Sequence, residues 1–205
     1  MNFASKSISF TLLKFLLLVL CFVFISPILA EENLYDRGKE LVDQKEYQKA
    51  LKAFELASKA GNLDAMTALG VMYIGGIGVN QDNIKGFNYI KKAADMADPK
   101  AQYTLGALYY LGAGVEKDYK KAFKWLNLAS EQNYIDAKYN LGVMYEFGEG
   151  VNQSYEKAYE YYLFAARKDN LESQIRVAEM YRDGIGTDKD LDKRAYWLKR
   201  IEDSK

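Results

Sequence analysis

The chain has 205 residues, with 28 lysines and arginines balanced by 28 aspartates and glutamates, no histidine and one cysteine. A balanced charge lacks the basic stripe that a nucleic-acid footprint needs. The missing histidine removes the commonest general base and metal ligand, and a lone cysteine supports neither a disulfide framework nor a cysteine metal site.

Residues 1–30 contain no carboxylate, two lysines (Lys6, Lys14), an apolar run from Phe15 to Ile25, then Ser26, Pro27 and the small residue Ala30 before Glu31 and Glu32. This order predicts a secretory signal peptide. The stretch from Phe15 to Ala30 falls short of the roughly 20 apolar residues that span a bilayer, and Pro27 interrupts it, so an uncleaved anchor is the weaker alternative. Cys21 leaves with the peptide. Its neighbour Leu20 is larger than the residue that precedes a lipoprotein acceptor cysteine. The mature chain is thus predicted to be exported, periplasmic or secreted, free of thiols and without stable membrane insertion. Without Lys6 and Lys14 the count becomes 26 basic residues against 28 acidic ones.

The rest is an array. LGVMYIGGIGV at Leu69–Val79 returns as LGALYYLGAGV at Leu105–Val115 and LGVMYEFGEGV at Leu141–Val151, each time 36 residues on. A unit of that length cannot bury its own apolar face and must stack on copies of itself. The tiles run 31–64, 65–100, 101–136, 137–172 and 173–205. In the central three, a first helix is predicted to begin near Ala65, Ala101 or Ala137, and Gly70, Gly106 and Gly142 fill one slot in it. Glycine costs roughly 1 kcal/mol against alanine inside a helix, so its return marks a close helix crossing. Tyr73, Tyr109, Tyr145 and Tyr181 then share the core face of Leu69, Leu105 and Leu141.

Gly76-x-Gly78, Gly112-x-Gly114, Gly148-x-Gly150 and Gly184-x-Gly186 follow as helix ends and chain reversals. A phosphate cradle is the sharper reading of GxG, but no strand precedes it. Val79, Val115 and Val151 plug the gap between units, and Asp82, Asp118, Ser154 and Asp190 stand where a second helix needs its N-cap. Ser154 and Lys157 spell SxxK, the nucleophile signature of penicillin-binding enzymes. The same slots hold Asp82 and Lys85, Asp118 and Lys121, and Asp190 and Lys193, so a cap followed by a helical lysine accounts for the match. Aromatic groups in the second helix, among them Phe87, Trp125, Tyr162 and the run Tyr196-Trp197-Leu198, read as core. The first tile lacks the glycine loop. The last places Ala178 in the glycine slot and ends in a charged run, as a cap facing water would.

With Ala101, Leu105, Gly106, Tyr109, Gly112, Gly114, Val115, Lys121, Ala122, Trp125 and Ala129 in their slots, the chain resembles the Sel-one-like repeat family of tetratricopeptide-like solenoids. The resemblance implies an all-α, right-handed α-solenoid of stacked antiparallel helix hairpins. It also implies a non-enzymatic adaptor, without a cofactor, that holds a partner protein or peptide, in bacteria often as an exported factor of the envelope or of host interaction.

Tetratricopeptide geometry would line the concave wall with first helices. The inward slots are then Tyr35 and Lys39, Thr67 and Val71, Tyr103 and Tyr110, Tyr139 and Glu146, and Glu179 and Arg182. Tyrosine suits such a wall, because it offers apolar area and a hydroxyl at little side-chain entropy. The chain is read as monomeric. The rival reading is a cell-wall-associated enzyme or peptidoglycan-binding factor, and a third is regulation of a membrane complex from a retained amino-terminal anchor. Asn152-Gln153-Ser154 would accept a glycan only in a eukaryotic secretory route.

Overall fold

From Asn62 onward every helix start but the one at Tyr134 is closed by a side chain, and the first helices of the later units end at Gly76, Gly112, Gly148 and Gly184. The computed structural model describes residues 34–204; the signal-peptide and Cys21 readings lie outside them. Among the described residues all regular structure is helical. Helix α1 covers 34–43, and α2 (Tyr47–Lys59), α3 (Leu63–Gly75), α4 (Asn83–Asp95), α5 (Pro99–Leu111), α6 (Tyr119–Glu131), α7 (Ile135–Phe147), α8 (Tyr155–Ala166), α9 (Leu171–Asp183) and α10 (Leu191–Asp203) follow. None is long and apolar enough to cross a membrane.

Asp82, Asp118, Ser154 and Asp190 each accept the backbone N–H three residues on, as predicted. The first helices start two residues before their alanines, at caps the sequence reading did not single out: Asn62, Asp98 and Asn170 accept from Ala65, Ala101 and Ser173. In that slot Tyr134 makes no side-chain cap. Gly76, Gly112, Gly148 and Gly184 end the first helices in the left-handed region, φ 64° to 74°, which a Cβ disfavours.

Contacts run from each helix to its chain neighbours, α1–α2 through α9–α10, and α3 also reaches α5. This is a solenoid of antiparallel hairpins. The helix glycines allow the close crossing: a Cβ on Gly106 would lie 2.7 Å from Leu126 Cγ, and one on Gly142 2.6 Å from Tyr162 Cε1. Leu126, Tyr162 and their counterpart Ile90 are fully buried. Between units, edge-to-face pairs join the second helix of one to the first helix of the next: Phe87 with Tyr109, Phe123 with Tyr145 and Tyr159 with Tyr181, at 5.7–5.8 Å.

The second glycine of each loop explains why the loop is not a phosphate cradle. Gly78, Gly114, Gly150 and Gly186 press on Tyr47, Asn83, Tyr119 and Tyr155, the first residues of the preceding units' second helices. Protein backbone fills the space. The last unit departs from the core reading of Tyr196 and Leu198. Ala178 carries the Cβ that the glycine slot omits, and no described unit lies beyond α10, so Leu198 stays 44% exposed, Tyr196 faces solvent and Trp197 is buried instead.

Candidate functional site

Two hollows open on the wall made by the first helices. The first, about 410 Å³, lies between α1, α3 and the start of α5. Its lining includes Tyr35, Lys39, Thr67 and Val71, together with Val42, Phe54, Ile77 and Lys100. Lys39 and Lys100 stand over the Tyr35 ring at 4.9 and 6.0 Å. Lys100 Nζ also lies 3.2 Å from Asp64 and 3.4 Å from the Tyr35 hydroxyl. Thr67 is buried, with its hydroxyl on the Leu63 carbonyl. It forms part of the floor of this hollow, with little surface of its own to offer. Val71, by contrast, is 45% exposed.

The second hollow, about 320 Å³, lies between α5 and α7 and gathers Tyr103, Tyr110 and Tyr139 with Ala107, Leu111, Asn140 and Val143. Tyr103 stacks on Tyr134 with ring centroids 4.9 Å apart, so the tyrosine that fails to cap α7 backs a ring of the hollow instead. Tyr110 crosses Tyr119 at 5.3 Å and donates its hydroxyl to Glu149 at 2.6 Å. Tyr139 leans on Tyr162. Burial and then neighbouring carboxylates push these phenols above the usual tyrosine pKa: Asp136 at Tyr103, Glu149 at Tyr110, and Glu172 with Glu146 at Tyr139, where Arg176 opposes them. All three remain neutral donors at physiological pH.

Glu146 and Glu179 come together through Arg176, which pairs with both. Glu146 also accepts the Tyr162 hydroxyl at 2.7 Å, and its side chain is 14% exposed. It therefore braces α7 on α8 and α9 and offers little to a ligand. Arg182 stands apart, paired with Asp183. Sequence reasoning missed Lys100, Asn140, Glu149 and Arg176. A signal existed for Glu149: the residue between the two loop glycines is Ile77, Ala113, Glu149 or Ile185, so an acid there breaks an apolar slot.

The SxxK pair is a helix start. Ser154 Oγ accepts the Lys157 N–H at 3.2 Å and lies 3.0 Å from Glu156, while Lys157 Nζ sits 5.1 Å from the Tyr145 ring centroid. The equivalent lysines Lys85, Lys121 and Lys193 stand over Tyr73, Tyr109 and Tyr181 at 4.1–5.4 Å. This recurring ammonium-on-ring contact was not read from the sequence.

Residues 29–62, 63–98, 99–134, 135–170 and 171–201 each match the Sel1 repeat family. The chain belongs to the Sel1 repeat family. From the second match onward, each Sel1 unit opens on the first residue of a first helix. A Sel1 repeat protein from Oxalobacter formigenes is 32% identical, with a TM-score of 0.76 over 82% of this chain and 69% of its own. A protective antigen present in uropathogenic Escherichia coli strains, with an SLR fold, is 27% identical and has a TM-score of 0.77 over 85% of this chain. This Sel1 chain spans only 38% of that antigen's length. A Sel1 repeat protein from Klebsiella pneumoniae shares the fold at 20% identity and a TM-score of 0.58.

Proposed function

We propose that this Sel1 repeat chain is an exported, monomeric, non-enzymatic scaffold that docks another protein or peptide against its wall of first helices. The observation that carries the reading is the Tyr103, Tyr110 and Tyr139 hollow, where three half-buried rings converge between α5 and α7 without closing on one another. Aromatic anchors in a hollow are the usual centre of a protein interface. Recognition of protein partners is also typical of Sel1 repeats. An antigen with the same fold supports a place in the bacterial envelope or in host interaction. The apolar amino terminus supports export, and Ser154, engaged as a cap, supports a role without catalysis.

The test is a pull-down from the native envelope with three baits: the mature chain, a Tyr103→Ala/Tyr139→Ala double variant, and a Lys120→Ala/Lys124→Ala control on the outer side of α6. The partner should be lost from the tyrosine variant and kept by the control. Equal recovery with all three baits would refute docking on this wall, and an intact mass that still includes residues 1–30 would refute cleavage.

A further inference from the structure

Resting on that reading, we propose that the hollow between α5 and α7 is a cation cage, and that the partner enters it with a lysine or arginine side chain.

The lining is aromatic and apolar, and no lysine or arginine contributes to it. One carboxylate touches its lining, and two more lie near enough to act on its rings. Glu149 accepts the Tyr110 hydroxyl, and Asp136 and Glu172 act on Tyr103 and Tyr139 through their fields. Among the described residues none of the three pairs with a cation; Asp136 takes only the Asn170 amide, at 3.3 Å. The bases around it are engaged elsewhere: Arg176 by Glu146 and Glu179, Lys100 by Asp64, and Lys117 over Tyr119. The local charge is therefore negative around faces that themselves carry negative quadrupoles, and a cation is the complementary occupant.

The rest of the molecule shows what such a ring attracts. Lys85, Lys121, Lys157 and Lys193 each settle over a tyrosine of the preceding helix. No cation of the described chain stands over Tyr103, Tyr110 or Tyr139. A hollow of about 320 Å³ takes one long side chain, whose methylenes would lie against Val143 and the 68%-exposed Leu111. A proline-rich or aromatic peptide would also find rings here, but it would bring no positive charge to the three carboxylates.

Random-sequence peptides displayed on phage and selected on the full chain test the proposal. Binding of the enriched peptides is then measured by fluorescence anisotropy to the wild type, Tyr110→Phe, Tyr110→Leu and Glu149→Gln. Enriched peptides should carry lysine or arginine and weaken with added salt. Tyr110→Phe keeps the ring and should bind like the wild type, whereas Tyr110→Leu should weaken binding by about 3- to 20-fold. Glu149→Gln keeps an acceptor for Tyr110, removes one charge and should also weaken binding; it reports even if Tyr110→Leu does not fold. Enrichment of neutral or acidic peptides, or equal affinity for Tyr110→Leu and Glu149→Gln, overturns the cage and leaves docking intact. No enrichment of any peptide overturns docking itself.

Discussion

Asp118 and Asp190 each perform two tasks with one carboxylate. One oxygen accepts the backbone N–H of Lys121 or Lys193 at 2.9 Å, and the other lies 3.1 Å from the ammonium of the same lysine. The backbone bond first, and the lysine second, hold both carboxyl groups below the usual aspartate pKa. A depressed folded-state pKa contributes stability that is complete above the unfolded value, about 3.9, and is lost as pH falls through the folded value. Asparagine caps a helix as well as aspartate does. The Asp118→Asn/Asp190→Asn variant should thus start α6 and α10 normally at neutral pH but lose less stability on acidification. Urea midpoints followed by circular dichroism at about pH 6 and about pH 3 read this out. A variant that falls as steeply as the wild type would remove these two aspartates from the acid response.

At the scale of the loop, the two glycines of each GxG have different work, which only coordinates separate. Both sit at positive φ, 69° for Gly148 and 76° for Gly150, so alanine at either costs roughly 1–2 kcal/mol in backbone strain. A Cβ on Gly148 would meet Gln153 Cβ at 3.3 Å and its backbone N at 3.4 Å, a tight contact relieved by a shift of a few tenths of an ångström within the loop. One on Gly150 would lie 2.6 Å from the Tyr119 carbonyl carbon, in the backbone of the preceding unit. Gly150→Ala should therefore add an overpacking penalty of about 1–3 kcal/mol and loosen the joint between the second and third GxG units. Gly148→Ala should show the strain with a smaller packing cost. Urea unfolding of both variants measures the difference, and equal losses would mean that the joint yields to a methyl group. Recurrence is what made this loop legible as a connection. Its contact with a residue 31 positions earlier leaves no trace in local pattern.

Across the whole array, legibility followed repetition. The glycine, tyrosine, GxG and cap slots stand out because the chain can be compared with itself at 36-residue intervals, and those slots carry the stacking. The surroundings of the proposed docking hollow include residues that break the period. Tyr134 stands where Asn62, Asp98 and Asn170 cap, Glu149 where its counterparts are apolar, and Arg176 joins carboxylates from two helices. Self-comparison marks such positions as irregular without saying what they touch, so the three tyrosines could be proposed but their acidic surroundings could not.

The period also misleads at the end of the array, where one slot has two environments. Leu126 lies against Gly106 and is fully buried, with the next unit stacked beyond it; Leu198, 72 residues on in the same slot, is 44% exposed, and Trp197 joins Ala178 in the buried cluster instead. A solenoid is stabilised by nearest-neighbour interfaces, so a cavity in the middle weakens joints on two sides while a truncation at the tip weakens none. Leu126→Ala should cost about 2–5 kcal/mol, and Leu198→Ala should stay within about 0.5 kcal/mol of the wild type. Hydrogen exchange locates the damage: in Leu126→Ala, protection should fall in α5, α6 and α7 while α9 and α10 keep theirs. A comparable loss from Leu198→Ala would mean that the exposed leucine is covered in solution, by a further stacked unit or by a second copy of the chain.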